Sequence, residues 1–338
     1  MSNKNVSVES CLKLKQLPDY DLLSSLCDKV CTFLENEKTD YRPLDKFGNP
    51  GSLIELKKKL PVIVVPDIHA RPDFILNILN HTLGTEQNFP KKISVKEALK
   101  QGLVYLVCAG DGIHTELTKE RWLKIQENAD QGNLFSDEMM EEMRLNLASL
   151  TALMSLKLEF PEYFHFLKGN HENILNTTGD GDFSFIKYAD EGELCKKFIS
   201  NHYGDDILYL IHYYEKSLPL VACSKSANCV ISHAEPAGLY LKSDLIDAHL
   251  YPEVVAGLTW TGNDQVKENT ASFIIKNLLE PMNCKTAVYF SGHRPVSEKF
   301  TTRQNGQFIQ IHNPLMQNIA IVLPEEEFNP EKNIISVN

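Results

Sequence analysis

Seven residues with the side chains of metal and acid–base chemistry fall where strand-like runs end. Asp67 and His69 follow "VIVV", Asp111 follows "LVYLVCA", and Asn170 and His171 follow "YFHFLKG". His233 follows "CVIS" and His293 follows "TAVYFSG". Ligands of open α/β sheets gather beyond the carboxyl ends of the strands. Imidazole combined with carboxylate suits Mn, Fe or Zn better than Mg or Ca. Two divalent transition-metal ions fit this set better than one. Asp67, His69 and Asp111 are expected to hold the first, and Asp111, Asn170, His233 and His293 the second, with Asp111 bridging through its two oxygens. Two such ions, roughly 3.5–4 Å apart, clamp a phosphoryl group, activate a water and stabilise an in-line displacement. His171, beside the ligand Asn170, is placed to protonate the leaving group as general acid.

Those strand ends need a scaffold. From residue 61 the sequence alternates strand, loop and helix, which predicts an α/β core, with later hairpins adding antiparallel strands. The ribbon "KFTTRQNGQFIQIHN" is expected to turn at Asn305-Gly306. Residues 1–55 read as an N-terminal helical appendage. Leu22, Leu23, Leu26, Val30, Phe33 and Leu34 form one helical stripe, with Asp19 as its cap. Residues 56–338 form the main domain, with a helical insertion at about 116–162. Within it Met139, Met143, Leu147, Leu150, Met154 and Leu158 recur at spacings of three and four, an amphipathic helix whose methionines fill core. The insertion lies over the cleft as a lid or beside it as a flank.

Composition narrows the classes. The net charge of −11 argues against a nucleic-acid binder, which needs a basic footprint. It leaves room for an anionic substrate, because bound cations reverse the field inside one cleft. The longest apolar runs are too short to cross a bilayer, and the first residues lack the apolar stretch of a signal peptide. Eight cysteines without a CxxC pair read as buried, reduced thiols of a cytoplasmic protein.

"PDIHA", "AGDG", "GNHE", "ISHAE" and "SGHRP" resemble, in order, the motif series of the calcineurin-like metallophosphoesterases, with the phosphoprotein phosphatases for serine and threonine as the most similar branch. The stretch from "YADEGELCKKF" to "ISHAEPAG" resembles the segment joining the third and fourth motifs in that branch. The similarity covers roughly residues 61–322. It implies two mixed β-sheets packed face to face and flanked by helices, with a dinuclear site at one edge. It also implies the ligand roles given above, a bridging hydroxide that attacks phosphorus, and a supporting role for Glu172 in the turn.

Two features depart from the family pattern. The second motif, G-D-x-x-D-R-G, is here "GDGIHTE", so His114 stands where an Asp orients the catalytic His, and Thr115 replaces a phosphate-binding Arg. The region after Trp260, "TGNDQVKENTASF", has no Arg to supply the second phosphate contact. Arg71 and Arg294, next to ligands His69 and His293, are the candidate replacements. Glu116 is read as starting a helix rather than binding metal. His81, His165, His202, His212, His249 and His312 are read as packing or surface residues.

The function expected is hydrolysis of phosphomonoesters, with phosphoserine and phosphothreonine proteins as the first substrate class. Hydrolysis of nucleotide polyphosphates or phosphodiesters, and an inactive binding scaffold, stand as alternatives.

Overall fold

The computed structural model describes residues 7–116, 118–280 and 285–337. Its strands are β1 (Leu53–Glu55), β2 (Val62–Val65), β3 (Thr82–Leu83), β4 (Ile93–Ser94), β5 (Tyr105–Cys108), β6 (Phe164–Phe166) and β7 (Val221–Ser224). They continue with β8 (Cys229–Ser232), β9 (Val288–Ser291), β10 (Thr301–Arg303), β11 (Phe308–Gln310), β12 (Asn318–Val322) and β13 (Ile334–Ser336). Two mixed sheets carry the fold. One runs β1-β7-β8-β9-β11-β10 and the other β13-β12-β2-β5-β6, while β3 and β4 pair as a small ribbon. At the turn between β10 and β11, Asn305 and Gly306 have φ of 56° and 86°. With Gln304, also at positive φ, they close a four-residue loop between Arg303 and Phe308.

The two sheets pack face to face. Val62, Val64 and Val107 of one meet Ala222, Ile231 and Phe290 of the other in a single apolar cluster. Strands covered on both faces read as unbroken apolar runs, and "VIVV", "YLVC" and "CVIS" are buried at every position.

Helices cover the outer faces. The early ones are α1 (Val8–Leu12), α2 (Tyr20–Glu35), α3 (Pro72–Asn80), α4 (Val95–Lys100), α5 (Lys119–Asp130), α6 (Asp137–Glu159), α7 (Glu191–Tyr203) and α8 (Asp205–Ser217). Buried side chains from all of them pack with Ile63, Leu106 and Phe164 on the outer face of the β2-β5-β6 sheet. On the other side α9 (Lys242–Ile246), α10 (Pro252–Thr259) and α11 (Thr270–Leu279) cover Val221, Val230 and Tyr289. The short α12 (Pro330–Asn333) precedes β13.

Residues 7–55 are built into this core. Asp19 caps α2 by accepting the Leu22 N–H at 2.8 Å, and β1 pairs in parallel with β7. A buried ionic cluster reinforces the join. Glu37 meets Arg42 Nη1 at 2.6 Å and Lys157 Nζ at 2.5 Å, and Arg42 also donates to the carbonyls of Gly51 and Ser217.

The insertion helix α6 departs from its expected amphipathic character. From Asn146 to Lys157 every residue is buried, polar ones included, because α1, α2 and α3 pack against it as well as the sheet. Met139, Met143 and Met154 are core, as their spacing implies. Cys284 lies outside the described residues, and the other seven cysteines are unpaired and buried. Among the described residues, no helix is long and apolar enough to cross a membrane.

Candidate metal centre

Parallel pairing brings the strand ends to one edge. Val65 stands opposite Cys108, and Cys108 opposite Phe166, so the loops carrying Asp67, Asp111 and Asn170 leave their strands level. In the facing sheet Ile231 is opposite Phe290, which does the same for His233 and His293. All six expected ligands converge there.

Their backbones are bent to fit. His69, Asp111, His114 and His293 have φ of 46°, 51°, 65° and 62°. Each such non-glycine residue stores about 1–2 kcal/mol of strain. Interlocking hydrogen bonds hold the bends: His69 N–H donates to the Asp111 carbonyl at 2.7 Å and Ala70 N–H to that of Gly112 at 3.0 Å.

Glu172 joins the second loop to the third. Its buried carboxylate accepts the N–H groups of Gly169, Gly112 and Asp111 at 2.7, 2.8 and 2.9 Å. The approach is so close that a Cβ on Gly169 would lie 2.2 Å from Asp111 Oδ1. The supporting role that the resemblance implied for Glu172 has this physical form.

Each aspartate divides its two oxygens between backbone and cavity. Asp67 Oδ1 accepts His293 N–H at 3.0 Å, and Asp111 Oδ1 accepts His171 N–H at 2.9 Å. Asp111 Oδ2 faces inward, 3.7 Å from His69 Nε2 and 3.4 Å from His233 Nε2. One oxygen is held by the turn, and Oδ2 alone stands between the two ligand groups.

The donors fit metal ions. His69 Nδ1–H donates to the His114 carbonyl and His233 Nδ1–H to that of Ala109, each at 3.0 Å. In the neutral rings this leaves both Nε2 lone pairs bare and aimed at the cluster. His233 Nε2 then stands 2.9 Å from Asn170 Oδ1, and His293 Nδ1 reaches the same oxygen at 2.9 Å. His233 Nε2 and Asn170 Oδ1, buried acceptors facing each other without a proton between them, call for a cation. Asp67 Oδ2, fully buried, has no hydrogen-bond partner.

Charge tells the same story. Burial raises the Asp67 carboxyl, yet His312, His233 and His69 outweigh it and hold the group below its usual range. Burial, followed by the Asp67 charge, pushes Asp111 well up. Burial lowers His69, but Asp67, Glu116 and Asp111 bring it up to about 9. A cation is wanted between these carboxylates, and a proton or a metal ion meets that need.

His171 and His114 meet Nδ1 to Nδ1 at 2.8 Å, with Phe185 stacked on His114. Burial, then neighbouring imidazoles, lowers both: His114 to about 3 and His171 well below the usual histidine range. The pair is neutral at neutral pH. His114 Nε2 is buried without a partner. An orphaned buried N–H is rarer than an orphaned acceptor, so the His114 proton belongs on Nδ1. His171 then accepts at Nδ1 and carries its own proton on Nε2, the atom 3.7 Å from Asp111 Oδ2. The insertion sets up this pair, since Asn146 Oδ1 accepts His114 N–H and Glu142 accepts Thr115 N–H.

The two candidate arginines differ. Arg71 spends its guanidinium on the carbonyls of Asp67, Ile68, Pro314 and Met316 at 2.8–3.3 Å, whereas Arg294 is exposed. Beside His69 opens a cavity of about 340 Å³, lined among others by Glu116, Arg121 and Arg144.

Two residues at the centre were read otherwise from sequence. His312, placed among the packing residues, sits 3.7 Å from Asp67 Oδ2, and Glu116, placed at a helix start, lies 3.6 Å from His69 Nε2. His312 follows β11, which runs parallel to β9, so it reaches the same edge as His293. A strand-end histidine in "FIQIHN" was the available signal. For Glu116 the sequence held none, because its helix begins only at Lys119.

No family model and no curated protein matches this chain. Solved structures do. A serine/threonine protein phosphatase from Saccharomyces cerevisiae overlays with a TM-score of 0.58 over 94% of this chain and 89% of its own, at 14% identity. A cold-active protein-tyrosine phosphatase of a Shewanella species aligns at 0.47, with 13% identity, over 84% of this chain and 82% of its own. A putative diadenosine tetraphosphatase aligns at 0.41, with 16% identity, over 85% and 97%. The chain has the fold of the yeast phosphatase: two mixed sheets face to face, with helices outside. In fold as in motif series it resembles the calcineurin-like metallophosphoesterases.

Proposed function

We propose that this protein is a dinuclear metal-dependent phosphoesterase acting on phosphomonoesters. The observation that supports this most is the convergence of donor atoms from Asp67, His69, Asp111, Asn170, His233 and His293 at one sheet edge. Two transition-metal ions, when bound, supply Lewis acidity and an activated water for in-line attack at phosphorus. The chain's own residues do the rest. Asp111 Oδ2 faces both ligand groups, and Glu172 sets the spacing of the loops that carry Asp111 and Asn170. His171 holds a proton at Nε2 and passes it to the departing alkoxide, while His114 fixes the tautomer through Nδ1. With Arg71 committed to backbone carbonyls, Arg294 is the freer of the two candidates for a phosphate oxygen.

Phosphoserine and phosphothreonine proteins are the first substrate class, and nucleotide polyphosphates the second. The feature that bears on the latter is the cavity of about 340 Å³ beside His69. Turnover by the Mn²⁺-loaded protein separates these readings, using p-nitrophenyl phosphate, its bis ester, a phosphothreonine peptide and a dinucleotide polyphosphate. Monoester turnover is expected. His171→Asn keeps the metal and loses about 10²–10⁴ in rate, whereas Asp111→Asn loses metal. A preference for the bis ester overturns the monoesterase assignment, and an active His171→Asn overturns the proton donor.

A further inference from the structure

The first ion's three expected donors meet at His69 Nε2. Asp67 Oδ2 and Asp111 Oδ2 are each 3.7 Å from His69 Nε2. Two side chains that the motif series does not include stand within reach of them. His312 Nε2 is 3.7 Å from Asp67 Oδ2 and 2.8 Å from Glu116 Oε2, and Glu116 Oε2 is 3.6 Å from His69 Nε2. His312 has no exposed surface, and the Glu116 side chain is 8% exposed.

These separations carry information. Donors held about 2.1 Å from one ion stand about 3.0 Å apart at right angles and about 3.4 Å apart in a tetrahedron. The five distances run from 2.8 to 3.7 Å. A buried histidine needs hydrogen-bond partners, and Glu116 Oε2 supplies one to His312 Nε2, but the same two atoms also face Asp67 Oδ2 and His69 Nε2. Both turn their polar atoms inward, and Asp67 Oδ2, 3.7 Å from His312 Nε2, has no hydrogen-bond partner.

We propose that His312 and Glu116 are protein donors to the first metal ion, completing with Asp67, His69 and Asp111 a five-donor cage. This rests on the dinuclear reading above. The cage brings two carboxylates of its own, Asp67 and Glu116, in addition to the shared Asp111. The second ion has only neutral donors beside Asp111. The first ion is therefore held tightly and its position is largely closed by protein, while the second exchanges and keeps open positions for substrate. Lys187 Nζ, 2.7 Å from Glu116 Oε1, holds the carboxylate in place.

The test is Mn²⁺ binding to the chelator-stripped full chain, followed by free-Mn²⁺ electron paramagnetic resonance and by metal content after gel filtration. Thermal melts of the metal-free forms verify folding. The wild type is expected to bind one ion tightly and one weakly. His312→Ala and Glu116→Gln each weaken the tight site at least about 10-fold and leave the weak one in place. His293→Ala does the reverse. Glu116→Gln is nearly isosteric and decides the matter if His312→Ala fails to fold. Tight binding unchanged in a folded variant overturns the cage. If that variant and the wild type both still hydrolyse phosphomonoesters with two ions bound, the dinuclear function survives and this inference alone fails. A wild type that binds no Mn²⁺ overturns both.

Discussion

Glu172→Gln tests the idea that one carboxylate sets the geometry of the centre. Glu172 accepts three backbone N–H groups at 2.7, 2.8 and 2.9 Å, two on Oε2 and one on Oε1. A glutamine keeps one acceptor oxygen. Placed at the Oε2 position it retains Gly169 and Asp111, and its NH₂ then meets the Gly112 N–H, donor against donor. Losing one charge-assisted hydrogen bond costs about 1.5–3 kcal/mol, and the other two weaken as the charge leaves. Burial works the other way, pushing the Glu172 carboxyl up, so a neutral amide recovers part of the loss. The net expectation is about 2–3 kcal/mol in the metal-free protein. The same change loosens Asp111 and Asn170, so Mn²⁺ affinity falls about 10–100-fold. Urea unfolding of the metal-free form and calorimetric Mn²⁺ titration read the two effects separately. A variant with an unchanged urea midpoint and unchanged Mn²⁺ affinity would refute the argument.

Gly169→Ala places a Cβ 2.2 Å from Asp111 Oδ1 and 2.6 Å from its backbone nitrogen. Metal content is expected to collapse while thermal stability falls by only about 1–3 kcal/mol. His114→Phe keeps the stacking on Phe185 and removes the Nδ1 contact, so turnover falls about 10-fold or more with metal stoichiometry unchanged. Glu37 gives a pH signature. Burial raises its carboxyl, but Lys157 and Arg42 prevail and hold it from 4.5 down to about 2. A depressed carboxyl stabilises the fold above its unfolded value and loses that contribution as pH falls. About 3 kcal/mol should therefore disappear between pH 4.5 and 2, as seen in urea midpoints. Glu37→Gln should remove this acid slope and, by leaving Arg42 and Lys157 unpaired, cost about 3–5 kcal/mol at neutral pH.

Much of the centre was legible because its residues obey a local rule. Asp67, Asp111, Asn170, His233 and His293 each follow a short apolar run, and the strands that carry them run parallel within each sheet, so such positions share one edge. The hairpin turn at Asn305-Gly306 was legible for the same reason, since residues adjacent in sequence close it. The α6 helix was legible as a helix but not in its burial. Its spacing shows one apolar face, while α1, α2 and α3 cover the others, and no local pattern encodes that packing.

By itself the sequence determined the six motif residues, their order and the strands that present them, because periodicity and strand-end position are local properties of the chain. The tertiary structure decided which atoms meet. It tied Asp111 Oδ1 to the His171 backbone and left Oδ2 alone facing both ligand groups. It committed Arg71 to carbonyls contributed in part by Pro314 and Met316, far along the chain. It brought His312 from β11 and Glu116 from the second loop to the same point beside Asp67. Those encounters depend on sheet order and register, which residues distant in sequence establish only when the two sheets close on each other.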